Sequence, residues 1–309
     1  MLGGIDIGGT KIGVCVGSAD GAIHAHDRFP TDPRADPEPV LRRALETLAS
    51  LASGPVGSVG VSCPGPFDRH ERRFLTPPNL PAWHGFDLGA FLDTHAGAPA
   101  RAMNDANSTA LAEWLWGGHD ARSTLVYLTM STGFGAGIVV DGEVLEGASG
   151  FAGEVGRVQL AELGPVGFGA MGTAEGFLSG PGMAQLAEAE RLACRQRGEA
   201  TALAGADPLD AEALCRAAAG GDAAARRVTD LVAGRLGELI AIVANLLEPD
   251  VVVLGTIGSA HPGLFVPGAG ESMRRRTVPE TAAKLRIVPS TLEQRGSLSA
   301  LAAACAATR

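Results

Sequence analysis

Asn104-Asp105 is the pair in this sequence best placed to do chemistry. A short run, Ala100–Met103, reads as the end of a buried strand. An Ala- and Leu-rich helix (Ala110, Leu111, Ala112, Leu115) starts directly after the pair and is stopped by Gly117 and Gly118. A carboxylate at the C-terminal tip of a strand, beside a helix N-terminus, points into the crevice where open α/β sheets hold ligands. By residue type alone Asp105 reads first as a capping residue, and Asn107 or Ser108 can also cap the helix. Two hairpin turns, Gly8-Gly9-Thr10 and Ser131-Thr132-Gly133-Phe134-Gly135, offer backbone N–H groups and a hydroxyl to an anion, with no side chain to hold it off. Gly255-Thr256-Ile257-Gly258 is a third glycine loop.

The elements that must position these residues follow from the hydrophobic pattern. Leu2–Ile7 and Lys11–Gly17 read as strands, with a third run to about Phe29. Asp36-Pro37 starts a helix with Val40, Leu41, Ala44, Leu48 and Leu51 at helical spacing. Val56–Cys63 is a strand broken by Pro64-Gly65-Pro66, and a loop containing Asn79 and Trp83 precedes a short helix near Leu88–Thr94. The opening pattern then recurs: Leu125–Met130, a Gly/Thr turn, Ala136–Val140, Asp141-Gly142 and Glu143–Leu145. Strand, Gly/Thr turn, strand, Asp-Gly turn, strand thus occurs twice, which implies two similar domains facing one another. Ala202–Asp207 is expected to be a loop. Asp222–Leu247 is the longest helix, with Val228, Leu231, Val232, Leu236, Leu239, Ile240, Val243 and Leu247 on its apolar stripe. Val251–Leu254 and Leu285–Val288 are strands, and the Ser297–Ala307 helix is expected to return to the first domain.

Composition narrows the classes. At 309 residues, with 46% hydrophobic and 19% charged residues, the chain can bury two substantial cores. A net charge of -9, with no basic run beyond Arg274–Arg276, argues against a nucleic-acid partner. No apolar stretch is long enough for a transmembrane helix and no signal peptide is evident. The five scattered cysteines fit a reducing cytoplasm better than a disulfide framework or a zinc knuckle. A Walker P-loop, a dinucleotide fingerprint and a G-x-S-x-G elbow are all missing.

Taken in order, the glycine loops and acidic residues resemble the ROK family of sugar kinases and repressors, within the hexokinase/actin-like ATPase fold. Asp6-Ile7-Gly8-Gly9-Thr10-Lys11 looks like the family's first phosphate loop, Asn104-Asp105-Ala106-Asn107 its catalytic motif, and Ser131 to Gly137 its second phosphate loop. Gly153-Glu154-Val155-Gly156 looks like a sugar-binding motif and Gly255-Thr256-Ile257-Gly258 the nucleoside-side loop. The implied fold is α/β, with two actin-like (ribonuclease H-like) domains about a central cleft. Residues 1–107 plus 295–309 would form the smaller and 108–294 the larger.

The resemblance implies an ATP-dependent transfer to a sugar hydroxyl, with glucose the first guess. Asp105 would be the base, and Asn104, Glu154 and Glu175 would bind the sugar with Asn79 and the Gly65 backbone. Asp6 would hold Mg²⁺ through water; its alternative is to tie down the glycine turn. Gly8, Gly9, Thr10, Lys11, Thr132, Gly133 and Gly135 would hold phosphates, and Gly255, Thr256 and Gly258 the nucleoside. Relatives are often dimers. A repressor would need an N-terminal winged-helix module, for which a strand already beginning at Leu2 leaves no room; a catalytically dead sugar sensor is a further alternative.

The chain departs from the family at its zinc site. Arg157 stands where most members have a zinc-binding histidine, and Val166, Phe168 and Thr173 fall on cysteine positions of the C-x-C-G-x-x-G-C cluster, so no structural zinc is expected. Val166 and Phe168 are expected to form a small apolar core there instead. Arg157 would fork onto Glu154, Glu175 or a sugar oxygen, or else face solvent.

Overall fold

The computed structural model describes residues 1–308. Strands β1 (Leu2–Ile7), β2 (Lys11–Gly17) and β3 (Ile23–Pro30) open the chain, followed by α1 (Pro37–Leu51), β4 (Ser58–Cys63), β5 (Phe67–Asp68), β6 (Arg73–Phe74), α2 (Leu88–His95), β7 (Ala100–Asn104) and α3 (Asp105–Trp116). Then come β8 (Leu125–Met130), β9 (Phe134–Val140), β10 (Glu143–Val144), β11 (Val166–Gly167), β12 (Ala170–Met171), α4 (Ala174–Leu178), α5 (Gly180–Arg197) and α6 (Ala211–Ala219). The chain closes with α7 (Ala223–Leu247), β13 (Val251–Leu254), α8 (Thr256–Ala260), α9 (Pro262–Arg274), α10 (Pro279–Lys284), β14 (Arg286–Pro289) and α11 (Arg295–Ala306).

The repeated strand pattern of the sequence becomes a repeated topology. Among the described residues one five-stranded sheet runs β3-β2-β1-β4-β7 and another runs β10-β9-β8-β13-β14. In the first, β1 pairs antiparallel with β2 and parallel with β4, which pairs parallel with β7. In the second, β8, β13 and β14 are parallel and β10 is antiparallel to β9. The chain divides into two compact units, one of Met1–Arg122, Gly137–Ala152 and the residues from Leu292 on, the other of Ser123–Ala136 and Gly153–Thr291.

In the first unit α1 starts where Asp36 accepts the Glu38 N–H at 3.1 Å, and it buries Leu41, Ala44 and Leu48. Helix α11 belongs to this unit and lies across β1 and β4. Its approach is close because its core-facing residues are mostly alanine and because β4 carries Gly60. A Cβ at Gly60 would overlap the Ala300 carbonyl oxygen and the Ala304 nitrogen. The Ser58 hydroxyl donates to the Ala304 carbonyl at 2.9 Å, so the buried polar atom is satisfied. Below β5 and β6, Phe67, Phe74 and Trp83 stack edge to face at 5.6 and 5.5 Å, each such pair contributing about 0.5–1.5 kcal/mol beyond area burial. Trp83 is fully buried and thereby anchors the loop that carries Asn79.

In the second unit α7 is capped by Asp222, which accepts the Ala225 N–H at 2.8 Å, and it buries Val228, Val232, Leu236, Leu239, Ile240 and Val243. Leu231, expected on that stripe, is 42% exposed, because the neighbouring α5, α6 and α9 do not cover its side of the helix. The expected loop at Ala202–Asp207 contains a 3-10 turn, Ala202–Gly205. The third glycine loop opens the short α8 directly, with Gly255 as its N-cap.

Substituting Gly60 tests how closely α11 must dock. Gly60→Ala should destabilise the protein by about 3 kcal/mol or more, since both obstructing atoms are backbone and no rotamer change relieves the overlap. Thermal unfolding followed by circular dichroism measures it; an unchanged midpoint would contradict the packing.

Candidate functional site

Strand register assembles the first half of the site. Asp6 of β1 pairs with Ser62 of β4, and Cys63, the next residue, pairs with Asn104 of β7. Three parallel strands therefore end together, and their C-terminal edge carries Asp6, Ser62 and Asn104 with Asp105 next in the chain. The buried Cys63 thiol registers both carboxylates: burial pushes its pKa well up, and the charges of Asp105 and Asp6 push it further.

The local structure at Asp105 differs from the expected cap. Asn104 caps α3, its Oδ1 accepting from the N–H groups of Ala106 at 2.9 Å and Asn107 at 3.4 Å. Asn107 and Ser108 are buried within the first turns. The helix thus begins at Asp105 itself, because the preceding side chain already satisfies its first donors. Asp105 is exposed, and its Oδ1 accepts the Ala106 N–H at 2.8 Å, which orients the carboxylate.

The Gly8-Gly9 hairpin closes with the Gly8 N–H donating to the Lys11 carbonyl at 3.0 Å. Glycine is needed at position 9 for proximity: a Cβ there would sit 2.9 Å from the Asn79 Cβ. A Cβ at Gly65 would lie 2.9 Å from Asn104 Nδ2, so that loop reaches the same edge. Thr10 and Lys11 are exposed at the turn. One edge of the first unit thus brings together Asp6, the glycine turn, Gly65, Asn79, Asn104 and Asp105.

Asp6 is held at a cost. Burial raises its carboxyl pKa above the ordinary value, while the neighbouring Ser62 hydroxyl and the Lys11 ammonium draw it back. Ser62 Oγ is buried and, among the described residues, has no hydrogen bond of good geometry. The Asp6 Oδ2 atom also occupies the space a Cβ at Gly296 would fill. A hard carboxylate oxygen suits a magnesium ion held through water, and the adjacent glycine turn suits the phosphates such an ion accompanies, so these residues fit that ion.

The second unit carries its own cluster. Glu175, at the start of α4, is 8% exposed, and its Oε2 accepts the Phe134 N–H at 3.1 Å, tying the second glycine turn to α4. Burial raises the Glu175 pKa; the amides of Phe134 and Phe168 and the Arg157 charge oppose this, and Glu154 adds to it. Thr132 is exposed at the turn, and the Gly180 N–H donates to the Ser131 carbonyl at 2.7 Å. Gly133 lies against Glu175, and Gly135 is lined by Thr129. The Thr256 hydroxyl bonds the Met130 carbonyl and accepts the Met130 N–H at 2.9 Å, joining the ends of β8 and β13. A Cβ at Gly258 would meet Met130 Sδ at 2.8 Å, and one at Gly255 would overlap the Tyr127 hydroxyl.

Glu154 is exposed and precedes the 3-10 turn Val155–Arg157. Arg157 makes no ion pair among the described residues; its guanidinium lies 4.8 Å from the centroid of the Phe168 ring. The expected apolar core of Val166 and Phe168 does not form, since both are nearly half exposed, at 45% and 47%. The reason is the β11–β12 hairpin, whose turn holds Phe168 at φ 50 and Gly169 at φ 75. Its inner face is Gly167, packed against the backbone of Glu175 and Gly176, which leaves no room for side chains beneath. Gln185 clamps the hairpin by accepting the Val166 N–H at 2.9 Å and donating to the Val166 carbonyl at 3.0 Å. Thr173 caps α4, accepting the Gly176 N–H at 3.2 Å. Arg157, Val166, Phe168 and Thr173 offer no thiolate or imidazole, so this donor set does not fit a tetrahedral zinc.

Sequence reasoning missed Ser62 and Gly296, and it placed Trp83 in the Asn79 loop without its anchoring role. Ser62 could have been found by aligning the parallel strands by register, whereas Gly296 carries no local signal.

Comparison with known proteins agrees with this architecture. A family model described as the ROK family matches residues 2–306. The chain is 31% identical over 268 residues to a glucokinase of Thermotoga maritima, covering 85% of this chain and 84% of that one. It is 34% identical over 259 residues to an N-acetylmannosamine kinase of Escherichia coli, covering 83% of each. Among solved structures, a ROK family glucokinase from Streptomyces griseus in complex with glucose and AMPPNP matches with a TM-score of 0.80 and 26% identity over 99% of both chains. A ROK family transcriptional regulator matches with a TM-score of 0.87 and 26% identity, over 99% of this chain and 78% of that one.

The burial of Asp6 has a sign that can be checked. A raised carboxyl pKa means the folded chain holds the proton more tightly than the unfolded one, so stability is lost as pH rises from the ordinary carboxylate range through the raised value. Asp6→Asn should therefore raise the thermal midpoint at pH 7, and the gain should shrink as pH falls below that range. A gain independent of pH, or a loss at pH 7, would contradict this electrostatic reading.

Proposed function

This chain belongs to the ROK family, and from that premise we propose that it is an ATP-dependent sugar kinase that transfers the γ-phosphate to a hexose hydroxyl. The 6-hydroxyl of glucose is the first candidate; fructose, mannose and N-acetylhexosamines are the others. The observation that carries the reading is the shared edge of β1, β4 and β7, with Asp6, the Gly8-Gly9 turn and Asp105 together. The printed activities of the relatives, glucokinase and N-acetylmannosamine kinase, support a sugar as acceptor. The scattered cysteines suit a reducing cytoplasm, and among the described residues no helix is long and apolar enough to cross a membrane.

In this reading Asp105 takes the proton of the attacking hydroxyl, and Asn104, whose Oδ1 caps α3, turns its amide to the sugar. Asn79, Gly65, Glu154 and Glu175 orient the sugar by hydrogen bonds. The amides around Gly9 to Lys11 hold phosphate oxygens, as do those of Thr132, Gly133 and Gly135 in the other unit, while the Gly8 and Phe134 amides brace the two turns; Gly255, Thr256 and Gly258 line the nucleoside. Asp6 would hold magnesium through water, and that ion would neutralise charge on the phosphates. Alignment and charge stabilisation lower most of the barrier; the base adds a smaller share. Arg157, stacked on Phe168 beside Glu175, positions the sugar loop in place of a metal.

The similarity to a transcriptional regulator favours a second reading, a sugar-responsive protein without turnover. ADP release measured over a panel of hexoses and N-acetylhexosamines separates the two. Sugar-dependent ADP release supports the kinase, and sugar binding without ADP release supports the regulator.

Asp105→Asn preserves size but removes the base; kcat should fall by roughly 10²–10⁴-fold with nearly unchanged sugar affinity. Wild-type turnover in this variant would remove Asp105 from the mechanism. Elemental analysis should find no stoichiometric zinc, and activity should survive a chelator once magnesium is resupplied. Arg157→Ala should raise KM for the sugar far more than for ATP, whereas unaltered sugar kinetics would leave Arg157 only a surface residue.

A further inference from the structure

The first unit contains a cavity of about 420 Å³ that the kinase reading does not use. It opens beside Ala100–Ala102, at the start of β7, whereas Asp105 follows the end of that strand. A five-residue strand separates its ends by about 13 Å, so the cavity lies on the opposite edge of the sheet from the candidate catalytic edge.

The walls of this cavity are unbalanced in charge. Arg69 and Arg101 converge on a single oxygen of Glu146, at 3.0 and 3.3 Å. Glu146 is the more buried partner, with 14% of its side chain exposed, against 37% and 34% for the arginines. Two guanidiniums thus share one carboxylate, and one positive charge is left over. Arg72, also in the wall, is neutralised by a two-pronged pair with Asp93, both bonds at 2.9 Å. His70 donates its ring N–H to the Ala148 carbonyl at 2.7 Å, which holds the far rim. Asp68, next to Arg69 in sequence, is occupied by the N–H groups of His70 and Glu71. Arg101 further donates to the Ala306 carbonyl at 3.3 Å, so its guanidinium is oriented before any ligand arrives.

We propose that this cavity is a binding site for a small phosphate-bearing anion. Planar guanidiniums with unused N–H groups match phosphate oxygens in fork geometry, and the surplus charge favours an anion. The volume exceeds what a bare phosphate fills and leaves space for a sugar-sized body against the methyl groups of the lining alanines. The site stands on the first unit alone and does not depend on the kinase reading.

The test is titration calorimetry on the full chain with inorganic phosphate and, separately, glucose 6-phosphate. The double variant Arg69→Gln/Arg101→Gln should weaken binding at least 10-fold, whereas Glu146→Gln should tighten it, since the competing carboxylate is gone. Arg101→Lys keeps the charge without the fork and should give a smaller loss, so the proposal remains testable if the double variant fails to fold. Phosphate bound at the glycine turns persists in all these variants and cancels in the comparison. Tighter binding of glucose 6-phosphate assigns the cavity to a phosphorylated metabolite; equal affinities assign it to phosphate itself. No arginine-dependent binding of either, or no gain in Glu146→Gln, would overturn the proposal and leave the arginines as structural partners of Glu146.

Discussion

The parallel register of β1, β4 and β7 is the constraint from which the candidate site follows. A parallel sheet ends its strands on one edge, and here the pairing of Asp6 with Ser62 and of Cys63 with Asn104 fixes which side chains meet there. A shift of one residue would send Asp6 to the other face. The register is locked from behind by α11, whose backbone lies on Gly60 and whose carbonyl at Ala304 takes the Ser58 hydroxyl. Packing far from Asp105 in sequence therefore determines what surrounds it.

The site carries a local penalty that the cores offset. Asp6 and Glu175 are both carboxyls whose pKa values are raised chiefly by burial, one in each unit. Such groups weaken a fold at neutral pH, and they persist because the surrounding elements over-determine their positions. Around Asp6 those elements are β4, buried along its whole length, and the Trp83 anchor; around Glu175 they are the Phe134 amide and the closely packed Gly167–Gly176 backbones.

Much of this was legible in the sequence, for physical reasons that differ by element. The strands and the helices α1 and α7 show through alternation and helical spacing, and the doubled strand pattern foretold two sheets of the same order. The cap of α3 was misread because Asn104, Asn107 and Ser108 are all capping types, and only the strand end decides among them. Val166 and Phe168 look like core by hydrophobicity, yet glycines at 167 and 176 let backbone fill the space beneath them. Ser62 and Gly296 reach Asp6 only through tertiary packing, and neither is marked in its own neighbourhood.

The most direct measurement follows the phosphorus itself. Incubation with γ-labelled ATP, magnesium and each candidate sugar, with separation of the products, reports whether the label moves to a sugar hydroxyl or to water. The account requires a stable labelled sugar phosphomonoester with at least one hexose or N-acetylhexosamine, abolished or greatly slowed in Asp105→Asn. Label recovered solely as ATP or as inorganic phosphate across the whole panel would contradict it.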